Sequence, residues 1–156
     1  MATRYVSLSG NNANPGTEGS PYATVAYGVA ASYAGDTLII GAGIFNEWVF
    51  SSRSGSAGNP ITIQGAAGAT VGAFALSHSY ITLKDLTIVG YSGAAMGVNI
   101  AIACDSIICD NLVFESFAAG KAQLVMSHLD KGNRPTNCQI LNCFFYDTDY
   151  YALSVH

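Results

Sequence analysis

The chain has 156 residues, of which half are hydrophobic, only 10% are charged and 17 are glycine; that is the size of one domain with a single core, its surface kept polar mainly by Ser, Thr, Asn and Gly. A net charge of −4 with six Lys plus Arg argues against a nucleic-acid partner, which needs a basic stripe to displace counterions, and an acidic polymer would need a cation or a local basic cluster. No run approaches the ~20 apolar residues of a membrane span, and the start, Met1-Ala-Thr-Arg-Tyr-Val-Ser, lacks an apolar signal core, so a soluble chain without its own export signal is expected.

Residues 5–8, Tyr-Val-Ser-Leu, read as a short strand, and a Gly/Asn/Pro-rich loop follows through Gly19. One helix is expected over 21–34: Ser20 suits an N-cap, Pro21 the first helical position, and Val25, Val29 and Tyr33 recur at helical spacing before Gly35 stops the run. From Asp36 on, short β-branched runs alternate with Gly, Asn and Ser, which directs attention to a repeat.

The repeat is present. Aligning residues 80–88, 106–114 and 137–145 superimposes Ile81, Ile107 and Cys138; Leu83, Cys109 and Ile140; Leu86, Leu112 and Cys143; and Ile88, Phe114 and Phe145. Between the second and third columns the two-residue alternation breaks at Asp85, Asn111 and Asn142. These residue types tolerate left-handed backbone and bond neighbouring backbone, so a stacked polar ladder at a bend is expected. Val98 with Ile100, Leu124 with Met126, and Leu153 with Val155 form a further strand per repeat. Extended backwards, Phe74 and Leu76, then Leu38 and Ile40, precede Val98 and Ile100, giving five strands of one sheet, while Ile61 and Ile63 fall one repeat before Leu86 and Ile88. The expected fold is all-β: a right-handed parallel β-helix, a solenoid of three-strand coils. One domain spans 1–156, with strand, loop and capping α-helix in 1–36 and about four coils in 37–156, uncapped at the C-terminal end.

Tyr5-Val-Ser, Asn14-Pro-Gly-Thr, Ser20-Pro-Tyr-Ala-Thr, Gly35-Asp-Thr-Leu-Ile-Ile, Gly43-Ile-Phe-Asn-Glu and Gly58-Asn-Pro-Ile-Thr-Ile63 together resemble the opening segment of pectate-lyase-like β-helix proteins. The resemblance implies an N-terminal helix closing one end of the coil. It also implies an extracellular or virion-associated setting, and a polysaccharide-binding groove along the sheet that holds Val98 and Ile100. Outward residues there are expected to be Asn99, Val125 and Ser154 in one row and Ala101, Ser127 and His156 in the next.

Lyase members of the family hold calcium with carboxylates and remove a proton from an acidic sugar with Lys or Arg. Carried onto this chain, Lys131 or Arg134 is the base, Asp147 and Asp149 are the Ca2+ ligands, and Asn99, Ser127, His128, Ser154 and Tyr150 contact the polysaccharide. Hard oxygen ligands suit calcium, and a nearby cation lowers a basic group's pKa toward its working range. The plainer reading makes Asp147-Thr-Asp149 ordinary turn chemistry and 131–135 a solvated loop.

His78, His128 and Cys104 invite a soft-metal site, but the histidines lie two coils apart, roughly 10 Å, too far for one zinc. Cys109, Cys138 and Cys143 read as core thiols, and buried free thiols are expected rather than a disulfide framework. Trp48, Tyr146, Tyr150 and Tyr151 read either as sugar-stacking faces or as half-buried turn packing. Two functions result: the N-terminal part of a polysaccharide lyase or hydrolase, or a structural or binding module such as a viral spike or extracellular fibre, self-associating through its C-terminal coil. A non-catalytic sugar-binding module is a third.

Overall fold

Period-two alternation of Ile, Leu and Val with Thr, Lys and Gln gives strands with one greasy and one polar face, and Gly, Asn and Asp at their ends turn the chain. The computed structural model describes residues 1–91, 96–101, 103–115, 122–126 and 135–146 in full and 153–155 by backbone. In chain order the elements are β1 (Thr3–Val6), α1 (Val25–Ala31), β2 (Thr37–Ile40), β3 (Gly43–Phe50), β4 (Ile61–Gly65), β5 (Ala69–Leu76), β6 (Ile81–Ile88), β7 (Met96–Ile100), β8 (Ile107–Phe114), β9 (Ala122–Met126), β10 (Gln139–Leu141), β11 (Phe144–Phe145) and β12 (Leu153–Val155). The chain is mostly β with a large parallel sheet and one described helix.

Every ladder between named strands is parallel, and the registers fall into three runs. Ladder I joins β1, β2, β4 and the first halves of β6 and β8, then β10. Ladder II joins the start of β3 and of β5 to the second halves of β6 and β8, then β11. Ladder III joins the end of β3 and of β5 to β7, β9 and β12. Ile81 on Ile107, Leu83 on Cys109 and Ile140, Leu86 on Leu112, and Ile88 on Phe114 and Phe145 all stack as the repeat predicts. Phe74, Val98, Leu124 and Leu153 do the same in ladder III.

Two predicted registers are corrected. Ile61 and Ile63 pair with Ile81 and Leu83, not with Leu86 and Ile88, because the connection between those layers is short, and Val71 is the residue that precedes Ile88. Leu38 and Ile40 pair with Ile63 and Gly65 in ladder I. Val49 of β3 is what precedes Phe74 in ladder III.

Inward columns form one continuous core from Val6 and Leu38 through Phe114 and Leu124. Each fully buried Leu, Ile or Phe contributes about 1.5–3 kcal/mol relative to leaving it in water. Phe145 stacks on Phe114 with ring centroids 4.9 Å apart and planes 6° from parallel. Cys104 and Cys109 are buried, Cys138 and Cys143 half-buried, and all four are free thiols.

The helix is shorter than predicted. Thr24, not Ser20, is the N-cap, its side chain accepting the Tyr27 N–H. Residues 21–23 stay out of the helix because Tyr22 N–H bonds the Tyr5 carbonyl and Asn12 Oδ1 accepts the N–H groups of Ala23 and Thr24. Tertiary hydrogen bonds to β1 and its loop outcompete the helical bonds that Ser20-Pro21 would start. Val25, Gly28 and Val29 face inward, whereas Tyr33, 59% exposed, lies beyond the helix. α1 packs on β1, β2 and β3; Gly28 is needed there, since a Cβ would come within 2.7 Å of Leu38 and 2.9 Å of Val6 side-chain carbons.

Candidate functional site

The outward side of ladder III is where the sequence puts the groove. Its register brings Phe50, Ala75, Asn99, Val125 and Ser154 into one row across successive strands. Asn99 is half-exposed on this row, as predicted. Val125 is not part of an open floor, because it is only 5% exposed. Ser154 continues the row in backbone register with Val125. Lys131, Arg134, Ser127, His128, Asp147, Asp149, Tyr150, Tyr151 and His156 lie outside the described residues.

Upstream, the same face carries groups that sequence reading underused. Trp48 and Phe50, two residues apart on β3, both project outward while Val49 between them is fully buried. Trp48 is 38% and Phe50 55% exposed, and their ring centroids are 4.9 Å apart with planes tilted by 39°. Trp48 was legible as an isolated aromatic. Phe50 was missed because a Phe in a strand reads by default as core.

At the strand end beside Phe50, Ser51 is buried, and its N–H bonds the Ala75 carbonyl at 3.0 Å. Its hydroxyl oxygen accepts the Ser77 N–H at 2.9 Å and lies 2.9 Å from His78 Nδ1. His78 is therefore tied to a serine and not to Cys104, whose thiol donates to the Leu76 carbonyl at 3.4 Å. Among the described residues, no three of His, Cys, Asp and Glu converge to hold a metal ion.

Two polar ladders flank the turns of ladder I. Asp85, Asn111 and Asn142 all take left-handed backbone, with φ of 56°, 52° and 51°, as their residue types predict. Asp85 accepts from Asn111 Nδ2 and Gln64 Nε2, each at 2.9 Å, and meets Lys84 Nζ at 3.6 Å. The Asn111 amide, assisted by Lys84 and Gln64 against the opposing effect of burial, holds the Asp85 carboxyl below its ordinary range. Asn142 donates to Asp110 at 2.9 Å. An open hollow of about 390 Å3 lies at this bend, lined by Asp85, Thr87, Asn111, Val113 and the 65–69 turn; its carboxylate is already spent on ladder contacts.

The second polar ladder was not seen in the sequence. Tyr80, Ser106 and Asn137, each just before a ladder I strand position, have φ of 56°, 55° and 51°. Asp105 ties them together, its Oδ1 accepting from Thr136 Oγ1 and Asn137 Nδ2 at 2.8 Å. The Thr136 and Asn137 hydrogen bonds lower the Asp105 carboxyl, and the bond to Asp105 raises the Tyr80 phenol. A Tyr–Ser–Asn column shares no side-chain type, which is why it does not stand out in an alignment.

No family model matches the chain. Over 60 residues it is 37% identical to the uncharacterized protein YwoF of Bacillus subtilis (strain 168), covering 38% of this chain and 13% of that protein. Among solved structures it is similar to a rhamnogalacturonan lyase, with TM-score 0.70, 15% identity, and 99% of this chain matched to 54% of that one. It is also similar to the GH136 lacto-N-biosidase of Eubacterium ramulus, with TM-score 0.79, 17% identity, and 99% of this chain matched to 36% of that one. These likenesses show a shared fold. The chain spans about half or less of the length of each of these proteins.

Proposed function

We propose that the three parallel ladders are the three sheets of a right-handed parallel β-helix of the pectate-lyase-like kind, capped by α1, and that it serves as the carbohydrate-associated N-terminal part of a polysaccharide lyase or hydrolase. The single observation that carries this reading is the solvent-facing Trp48 and Phe50 pair on the outer face of ladder III. Flat aromatic faces match the apolar faces of sugar rings, and exposed rings on a rigid strand need no ordering on binding. The near-universal right-handedness of parallel crossovers supports the hand. The named activities of the structurally similar lyase and lacto-N-biosidase support the ligand class.

Within this reading Lys131 or Arg134 serves as the base, Asp147 and Asp149 as Ca2+ ligands, and Asn99, Ser127, His128, Ser154 and Tyr150 as contacts along the polysaccharide. An extracellular or virion-associated site of action accompanies it. Incubation with polysaccharides, with and without calcium, tests the reading. New ultraviolet absorbance marks β-elimination, new reducing ends mark hydrolysis, and gel retardation without either marks binding alone; no retardation by any polysaccharide sinks it.

A second reading, a structural module self-associating through the β10 and β11 end, is favoured by the exposure of Leu141, Phe144 and Tyr146 there. Sedimentation at rising concentration decides it, because a strict monomer excludes self-association.

A further inference from the structure

Both ends of α1 are held by charged side chains that belong to β3 or to the segment just after it. At the start, Glu47 takes the N–H groups of Val25 and Ala26 at 2.9 and 3.0 Å, and Thr24 Oγ1 takes that of Tyr27 at 3.2 Å. At the finish, Ser32 donates its hydroxyl to the Gly28 carbonyl at 2.8 Å and its N–H to the Val29 carbonyl at 3.2 Å. The next carbonyl, of Ala30, accepts from Arg53 Nη2 at 2.9 Å, and the same guanidinium lies 4.0 Å over the Tyr33 ring. An anion at the start and a cation at the finish both match the helix dipole.

What α1 lies across is a strand edge. Among the described residues β3 pairs with β5 alone, and no backbone hydrogen bond reaches residues 44–50 from a described segment outside the strands. α1 packs on β1, β2 and β3 and turns Val25, Gly28 and Val29 inward, which places it at the end of the coil where β3 has no strand beside it. Sheet edges are ordinarily protected by Lys, Pro or other charge. Residues 44–50, Ile-Phe-Asn-Glu-Trp-Val-Phe, hold no Lys and no Pro, and their single charge is Glu47, which is turned to α1. A register shift between Phe45 and Trp48 blunts the middle of this edge, but Ile44, Trp48 and Phe50 stay exposed along it.

We propose that α1 is a lid, clasped at its two ends by Glu47 and Arg53, that opens as one unit while the coils stay folded. Closed, it keeps the free edge of β3 from pairing with the same edge of a second copy of this chain. A helix of seven residues is too short to persist alone, so losing the grip at either end releases the whole of it. Opening exposes Val25 and Val29, which keeps the open state rare in the parent. The second copy is the occupant because a β-branched and aromatic run of low charge pairs well with itself. The lid stands independently of the carbohydrate reading.

Amide hydrogen exchange of the whole chain, followed residue by residue by NMR, tests the unit opening. Arg53→Ala is expected to speed exchange about five- to thirtyfold at Val25 and Ala26, the far end of the helix. Glu47→Ala is expected to do the same at Ser32, while amides of β6 and β8 keep their protection. Faster exchange only at the end whose partner was removed means fraying and overturns the lid. Equal loss of protection in β6 and β8 means global unfolding and overturns it too.

Sedimentation velocity tests what the lid guards. The Glu47→Ala, Arg53→Ala double variant is expected to associate at concentrations where the parent does not. Adding Ile44→Lys, which puts a charge on the exposed edge, is expected to abolish that association while α1 amides still exchange fast. A double variant that associates no more than the parent, or one whose association survives Ile44→Lys, overturns the guarding of β3 by α1.

Discussion

Glu47 caps a helix that begins 22 residues before it in the chain: its Oε1 accepts the Val25 N–H at 2.9 Å, and its Oε2 accepts that of Ala26 at 3.0 Å. The first N–H groups of a helix have no partner within it, and a carboxylate there satisfies two of them while opposing the positive end of the helix dipole. α1 has seven residues, too few to persist without tertiary support. Glu47→Ala is expected to cost about 1–2 kcal/mol, with Glu47→Gln intermediate, as measured by urea unfolding followed by circular dichroism.

Acid should loosen the N-terminal strand through Asp36. Burial alone pushes this carboxyl up, but the N–H groups of Ala2 and Tyr33, with Arg4 and the amino terminus, outweigh burial and hold it below its ordinary range. A carboxyl depressed in the folded state adds stability that is present above its unfolded pKa, about 3.9. That stability disappears as pH falls through the lower folded value. Asp85 and Asp105 are depressed as well and act in the parent and variant alike. The expected signature is thus a difference: between roughly pH 5 and pH 2 the parent loses more stability than Asp36→Asn, and parallel unfolding curves would remove Asp36 as the cause.

The left-handed ladder predicts an unusual ranking of substitutions at Asn111. Alanine at its φ of 52° meets the steric penalty that glycine avoids, about 1–2 kcal/mol. Both substitutions lose the hydrogen bond to Asp85. Asn111→Gly should therefore be more stable than Asn111→Ala by about 1 kcal/mol, the reverse of what a regular strand position gives, and chemical denaturation of the two variants measures it.

Thiol chemistry should follow burial. Burial raises the thiols of Cys104 and Cys109, and at Cys109 the neighbouring thiols of Cys143 and Cys138 add to the effect. Alkylation of the native protein, followed by mass spectrometry, should modify the half-buried Cys138 and Cys143 before Cys104 and Cys109, with the last two reacting only on unfolding. Rapid native labelling of Cys109 would contradict its place in the core.

Column identity was readable wherever successive layers repeat residue types in step. Ile81 over Ile107 and Asp85 beside Asn111 are visible by aligning two strings, because period-two burial and left-handed turns each demand particular side chains. The placing of Ile61 and Ile63 was not readable. Ile-Thr-Ile fits either half of a bent strand equally well, and only the backbone pairing with Ile81 and Leu83 distinguishes them. The helix start shows the same limit, since Ser20-Pro21 is a sound local signal overridden by distant bonds from Tyr5 and Asn12.

By itself the sequence determined the mostly β character, the parallel stacking of inward columns, the Asp85, Asn111 and Asn142 bend, Cys109 as a core thiol, and Asn99 and Trp48 as surface candidates; Cys138 and Cys143, read as core too, are only half-buried. Those features follow from side-chain size, polarity and backbone preference one residue at a time. Tertiary structure alone decided the register of the early layers, the burial of Val125, the Asp105 network, and the meeting of Ser51 and His78. These depend on which strand end stands beside which, and that is set by the lengths of intervening turns, which sequence periodicity leaves free.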